Sequence, residues 1–357
     1  MYMRQTLVLL KFVVVVSSFI TITGHAGPVD ASVDRQDAQS WLKKIHTAAQ
    51  RLNYSGTFVY QQENQIRTSR ITHLLEGRNE REKLEILDGK PREYIRNNEE
   101  IICYVPESRT LLVEKRITHD VFPAIIAATP AELAEHYDIR KGETGRVAGF
   151  DCQALVLQPK DNLRYGYKLW AEKSTGLLLR AQTLNERSEV VEQIAFTQLA
   201  IGNVDRAAVR PSYPNTTGWR VENAVMSQAT LTGWSVRAIP AGFRKIREMK
   251  RMISDTPAES PVTAASASAS GPAAAGVAVA VARPTQRELS QIVYSDGLAA
   301  ISIFIEPVSQ SRTEGSMQQG AMNITGKRQG DFWLTIVGEV PAAAIRQVAN
   351  SIEFKPR

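Results

Sequence analysis

The chain has 357 residues, enough for two ordinary domains. Of its 43 Lys and Arg, Arg4 and Lys11 belong to a leader-like start that holds no Asp or Glu. The remaining 41 face 37 acidic residues, an excess of +4. That mild balance excludes the strongly basic surface of a nucleic-acid binder.

Arg4 and Lys11 precede or flank an apolar run over 12–22, and Gly24-His25-Ala26 offers small residues at a cleavage position. The pattern predicts a secretory signal peptide over 1–26, cut after Ala26. The apolar run is too short for a spanning helix, and no later segment approaches that length. No Cys follows it, so a lipidated N-terminus is not expected.

Residues 36–52 place Ala38, Trp41, Leu42, Ile45, Ala48, Ala49 and Leu52 at helical spacing. The apolar face of this helix needs a sheet to lie on. Short strand-like runs follow at 55–61, 66–75, 82–87, 92–96, 100–105 and 110–116, broken by hairpin-sized turns: an antiparallel meander. Thr129-Pro130-Ala131-Glu132 opens a short helix with a capping threonine, a proline and a glutamate.

Strands resume at 151–158. In 165–172 Tyr165, Tyr167, Leu169 and Ala171 alternate with Lys168, Trp170 and Glu172. A polar turn ends at Gly176, and 177–184 runs back. Apolar residues on both faces of this hairpin place it deep in a sheet covered on both sides. A further strand spans 189–199. Such a wide sheet curls into a half-open barrel with helices filling the hollow.

A Pro-rich connector, 209–218, separates this first domain (27–208) from a second (219–357). Strands are expected at 234–240, 243–252, 290–294, 299–306, 331–337 and 352–354, with a helix over 342–349. The Ala-, Ser- and Pro-rich stretch 254–286 reads as a flexible insertion at a hairpin tip. The expected fold is α+β and mostly antiparallel: a half-barrel covered by helices, plus a smaller antiparallel sheet with one helix.

Chemistry-bearing motifs are missing. His46, His73, His119 and His136 are not spaced as metal ligands, and no P-loop, nucleophile elbow or dinucleotide fingerprint occurs. The sequence calls for no catalyst, metal or cofactor. Cys103 and Cys152 both lie in apolar runs. They read either as separate core thiols or as a disulfide, whose loop of about 50 residues would contribute roughly 4 kcal/mol.

What remains is surface. Phe58, Tyr60, Ile71, Leu84, Ile86, Ile101, Leu112, Leu155, Leu157, Leu169, Leu178 and Phe196 are candidates for a concave apolar face. That face is either ordinary core or a seat for an acyl chain. Arg237, Arg244, Lys245, Arg247, Lys250 and Arg251 face a single Glu248, which reads either as a solvated face or as an anion or partner site.

Several stretches resemble one family. Leu52-Asn53-Tyr54-Ser55-Gly56-Thr57-Phe58-Val59-Tyr60 after a Trp-containing helix is similar to the start of the MucB/RseB family. So are Leu87-Asp88-Gly89-Lys90-Pro91-Arg92-Glu93, residues 165–180, Val293-Tyr294-Ser295-Asp296-Gly297-Leu298, Gly320-Ala321-Met322-Asn323 and Gly338-Glu339-Val340-Pro341. The resemblance runs through the chain in order and departs from the pattern at 254–286. It implies a LolA-like first domain and a periplasmic regulator that binds the periplasmic part of a membrane-spanning anti-sigma factor and keeps a site-1 protease from it. Lipid, lipopolysaccharide or mislocalised lipoprotein would release it. The first domain alone suggests a lipoprotein or lipid carrier instead, and the sequence leaves open whether the chain forms a homodimer.

Overall fold

The computed structural model describes residues 31–115, 122–223, 227–228, 231–254, 286–308 and 312–355. The expected signal peptide and almost all of the expected insertion lie outside the described residues.

Helix α1 (Ala31–Arg51) buries Ala38, Leu42, Ile45 and Ala48, one apolar residue per turn as its spacing predicts. The meander follows as β1 (Tyr54–Gln62), β2 (Gln65–Glu76), β3 (Asn79–Ile86), β4 (Arg92–Asn97), β5 (Glu100–Val105) and β6 (Thr110–Lys115). Helix α2 (Pro130–His136) starts with the predicted cap. The Thr129 hydroxyl accepts from the Glu132 amide, and the Glu132 carboxylate accepts from the Thr129 amide at 2.8 Å.

Then come β7 (Tyr137–Val147), β8 (Phe150–Pro159), β9 (Gly166–Glu172), β10 (Leu178–Leu184) and β11 (Val190–Ile201). With β12 (Arg220–Asn223) they form a twelve-stranded sheet in the order β12-β6-β5-β4-β3-β2-β1-β11-β10-β9-β8-β7. Neither end strand pairs with the other, so the sheet stays open.

The β9–β10 hairpin is as buried as its two-faced pattern predicts: Leu169, Ala171, Leu177, Leu178 and Leu179 are fully buried, and Trp170 on the opposite face nearly so. Its turn is held twice. The Glu172 carboxylate accepts from the amides of Ser174 and Thr175 at 2.8 and 2.7 Å. Gly176 (φ +82°) lies so close to α1 that a Cβ there would come within 2.4 Å of the Lys44 side chain. Burial would raise the Glu172 pKa, but the Thr175 and Ser174 hydroxyls and amides outweigh it and hold it near 2.

The connector is no free tether. Ser212 donates its amide to Glu93 at 2.9 Å and accepts from Lys83 at 2.7 Å, while Tyr213 and Trp219 pack on Tyr104. The second domain was expected to begin near Trp219. Instead β12 pairs in parallel with β6 and still belongs to the first sheet.

Beyond it lie β13 (Ser227–Gln228), β14 (Trp234–Val236), β15 (Arg244–Ser254), β16 (Gln286–Ser295), β17 (Ala300–Pro307), β18 (Gly315–Gln319), β19 (Met322–Gln329), β20 (Phe332–Gly338), α3 (Ala342–Ser351) and β21 (Ile352–Phe354). Seven of these strands form an antiparallel sheet ordered β13-β15-β16-β17-β20-β19-β18, and β14 pairs with β21. Ile301, Ile303, Leu334 and Ile336 bury one face of the larger sheet in a core shared with Ala344, Ile345 and Val348 of α3.

Candidate functional site

Strand register decides which side chains share a face. Across the first sheet Ile71 lies opposite Leu84, Leu84 opposite Tyr94, Tyr94 opposite Cys103 and Cys103 opposite Leu112. Phe58 lies opposite Phe196, Leu157 opposite Tyr167, Leu155 opposite Leu169, and Ala171 opposite Leu178. Tyr60, Ile86 and Ile101 sit two residues along their strands from Phe58, Leu84 and Cys103, hence on the same side. All twelve apolar candidates therefore share one face.

That face has two parts. Phe58, Ile71, Leu155, Leu157, Leu169, Leu178 and Phe196 lie in a closed core with α1, Leu133 of α2, and Phe122 and Ile126. Leu84, Ile86, Ile101 and Leu112 on β3–β6 are only half-buried, and Tyr94 among them is 36 % exposed. Two surface hollows, of about 320 and 390 Å³, lie elsewhere: one beside Gly56 and Arg70, the other between α1 and Thr175. Among the described residues, the least buried part of this face is therefore its β3–β6 end. A network of His73, Glu80, Glu82 and Arg96 closes one margin. Burial would raise the Glu80 carboxyl, but hydrogen bonds from His73 and Arg96 hold it near 2.

Sequence reading missed Phe122 and Ile126. The only signal was an apolar run, Val121 to Ala128, with neither strand nor helix period.

Of the two readings of the cysteines, the structure has the separate core thiols. Cys103 and Cys152 are both free and buried, on β5 and β8, and seven strands separate β5 from β8 in the sheet. A bridge needs Cα atoms within about 7 Å, which non-neighbouring strands of an open sheet do not offer.

The basic run is largely neutralised. Arg237 pairs with Glu353 at 2.6 Å, Arg244 with Glu132 at 2.7 Å, Lys250 with Glu288 at 2.8 Å, and Lys245 with Glu248. Three of these acids are distant in sequence, so the run looked more basic than it is. Arg247 has a buried Nε without a hydrogen-bond partner among the described residues. The Arg251 side chain lies outside them.

The two domains meet through buried polar contacts. The fully buried Arg164 donates to Asp296 at 3.0 Å, to Asp161 at 3.1 Å and to the Ala241 carbonyl at 2.5 Å, and lies over the rings of Tyr137 and Phe243. Asp296 also accepts from the Tyr137 hydroxyl at 3.3 Å. Asn323 donates to the Tyr165 hydroxyl at 3.1 Å and to the Val340 carbonyl, and Gln62 donates to the Gln319 carbonyl. The motifs at 293–298, 320–323 and 338–341 thus gather at the domain junction.

The chain matches the family models of the MucB/RseB N-terminal domain over residues 37–215 and of the MucB/RseB C-terminal domain over 228–353. It belongs to the MucB/RseB family. Among its relatives is the sigma factor AlgU regulatory protein MucB of Pseudomonas aeruginosa, 29% identical over 343 residues that cover 94% of this chain and 96% of that protein. The sigma-E factor regulatory protein RseB of Haemophilus influenzae is 24% identical, covering 91% and 94%. A crystal structure of MucB in complex with MucA(peri) superposes with TM-score 0.64 at 27% identity, covering 90% of this chain and all of that one. One of MucB alone gives 0.62 at 26% identity, covering 90% and 98%. The expected family and mostly antiparallel fold are borne out.

Two MucB/RseB motifs, those that hold Tyr60 and Glu339, meet at a pH-sensitive group. Glu192 on β11 lies beside Glu339 and accepts from the Tyr60 hydroxyl. Burial first, and then the Glu339 carboxylate, push its pKa up to about 7. The folded state keeps this proton where the unfolded chain, with a carboxyl near 4.5, loses it. The contribution of Glu192 to stability is therefore fully present below about pH 4.5 and is lost as pH rises to about 7. Glu192→Gln is expected to flatten that decline, checked by urea melts at pH 5 and pH 8. An unchanged slope would remove Glu192 as its source.

Proposed function

We propose that this protein is an exported, periplasmic regulator of a sigma factor pathway. It binds the periplasmic part of a membrane-spanning anti-sigma factor and shields it from site-1 proteolysis until a lipid, lipopolysaccharide or lipoprotein acyl chain releases it. The observation that carries this reading is the match to both MucB/RseB domains in order, together with whole-chain similarity to a MucB solved with MucA(peri). The single apolar face supports an acyl ligand, with Leu84, Ile86, Tyr94, Ile101 and Leu112 as the part open to a guest.

A ligand releases a partner only if it favours the unbound form of the regulator. The test is a pull-down of the mature protein on an immobilised anti-sigma periplasmic domain, followed by titration of lipopolysaccharide or a laurylated peptide. Binding and then release are expected. Retention at saturating lipid would end the release mechanism, and no binding to the anti-sigma domain would end the regulator reading.

A further inference from the structure

One short segment touches both the apolar face and the domain junction. Phe122 packs between two face residues, with ring centroids 5.5 Å from Phe58 and 5.1 Å from Phe196. Ile126 is buried in the same core, and its carbonyl accepts from His46 of α1 at 2.8 Å. The next two residues meet the second domain: Ala127 is exposed, whereas Ala128 is still buried in the same core. Ala127 donates its amide to the Gly297 carbonyl at 2.8 Å. Ala128 lies so close to Gly297 (φ +92°) that a Cβ there would fall 2.1 Å from the Ala128 Cβ. Gly297 follows Asp296, the acid that holds Arg164 and Tyr137.

We propose that residues 122–128 form a displaceable plug that couples occupancy of the apolar face to the domain junction. This rests on the acyl-chain reading above. The buried part of the face is filled, so a chain that passes beyond the β3–β6 end must take the places of Phe122 and Ile126. Five residues at most separate those anchors from Ala127 and Ala128, too short a span to absorb the displacement as slack. Expulsion of the anchors therefore pulls the Ala127 amide from Gly297 and loosens the Asp296 turn. The coupling is packing with two arrangements, plug in or plug out.

Hydrogen exchange of the full mature chain tests this, followed in peptides that contain Ala127 and residues 293–299. Without any lipid, Phe122→Ala is expected to speed exchange in both peptides by about tenfold or more, while Phe122→Leu restores protection. If Phe122→Ala fails to fold, Gly297→Ala, which breaks the contact from the other side, should speed exchange at Ala127 and leave the rest of the first domain protected. With the wild type, a laurylated peptide should reproduce the Phe122→Ala pattern. Binding of that peptide with no change at 293–299 would overturn the coupling and leave the acyl site standing. Failure of the peptide to bind would overturn both, whereas unaltered junction exchange in Phe122→Ala overturns the coupling alone.

Discussion

Asp296→Ala is expected to lower the unfolding free energy by about 3–5 kcal/mol, the range for removing one partner of a buried ion pair. Arg164 is fully buried, and its terminal nitrogen facing Asp296 would have no acceptor there. The Tyr137 hydroxyl loses its acceptor as well, in a site where burial, then Tyr167 and Asp296, already hold its pKa well above 10. The second Asp296 oxygen accepts from the amides of Leu298 and Ala299, at 3.0 and 2.9 Å, so the turn loses its internal brace. Arg164 keeps Asp161 and the Ala241 carbonyl, which sets the upper end of the range.

Urea unfolding followed by tryptophan fluorescence measures the loss, and a value under 1 kcal/mol would mean the pair is replaceable by water. Removing both charges together, as Arg164→Met with Asp296→Leu, should cost less than Asp296→Ala, because neither partner is then left charged and buried. A double variant as unstable as the single one would place the cost in the turn.

The sequence was legible where physics is local. Apolar spacing announced α1, alternation announced β1–β6 and β8–β11, and Thr129 with Glu132 announced the start of α2. Three kinds of feature escaped. Strand β7 reads Tyr-Asp-Ile-Arg-Lys-Gly-Glu-Thr-Gly-Arg-Val, too charged and glycine-rich to show a period. It is an edge strand whose Gly145 leaves room for the Trp170 ring, 2.8 Å from where a Cβ would be. Strand β18 is polar for the same edge reason. Strand β12 exists only because β6, more than a hundred residues earlier, offers it a free edge. The candidate face was legible because alternation carries across paired strands. Its division into closed and open ends was not, since Phe122 and Ile126 close it from a segment without any period.

The junction follows the same logic at longer range. Arg164 and Asp296 are 132 residues apart, and neither stands in a pattern that names its partner. Both lie in or next to stretches that carry the family resemblance, 165–180 and 293–298. Those stretches therefore record a constraint on how two domains meet, in addition to one on the core of each. The basic run on β15 shows the converse error: local charge suggested a free cationic face, and tertiary structure brought Glu132, Glu288 and Glu353 to it.

Leu169→Ala should cost about 2–5 kcal/mol, as large-to-small changes in closed cores do. Leu169 is fully buried in the hairpin, with Leu155 opposite it on one side and Ala181 on the other. Neighbouring strands cannot close in without losing register, so a cavity remains. Leu112→Ala, on the same face but half-buried at the β6 end, removes side-chain atoms that are partly in water already. It should cost about 1 kcal/mol. The two variants therefore separate a filled from an open part of one continuous face. Urea midpoints measured side by side decide it: a several-fold larger loss at Leu169 supports the division. Equal losses would mean that the β3–β6 end is as closed as the hairpin, leaving an acyl chain no entrance except through the plug.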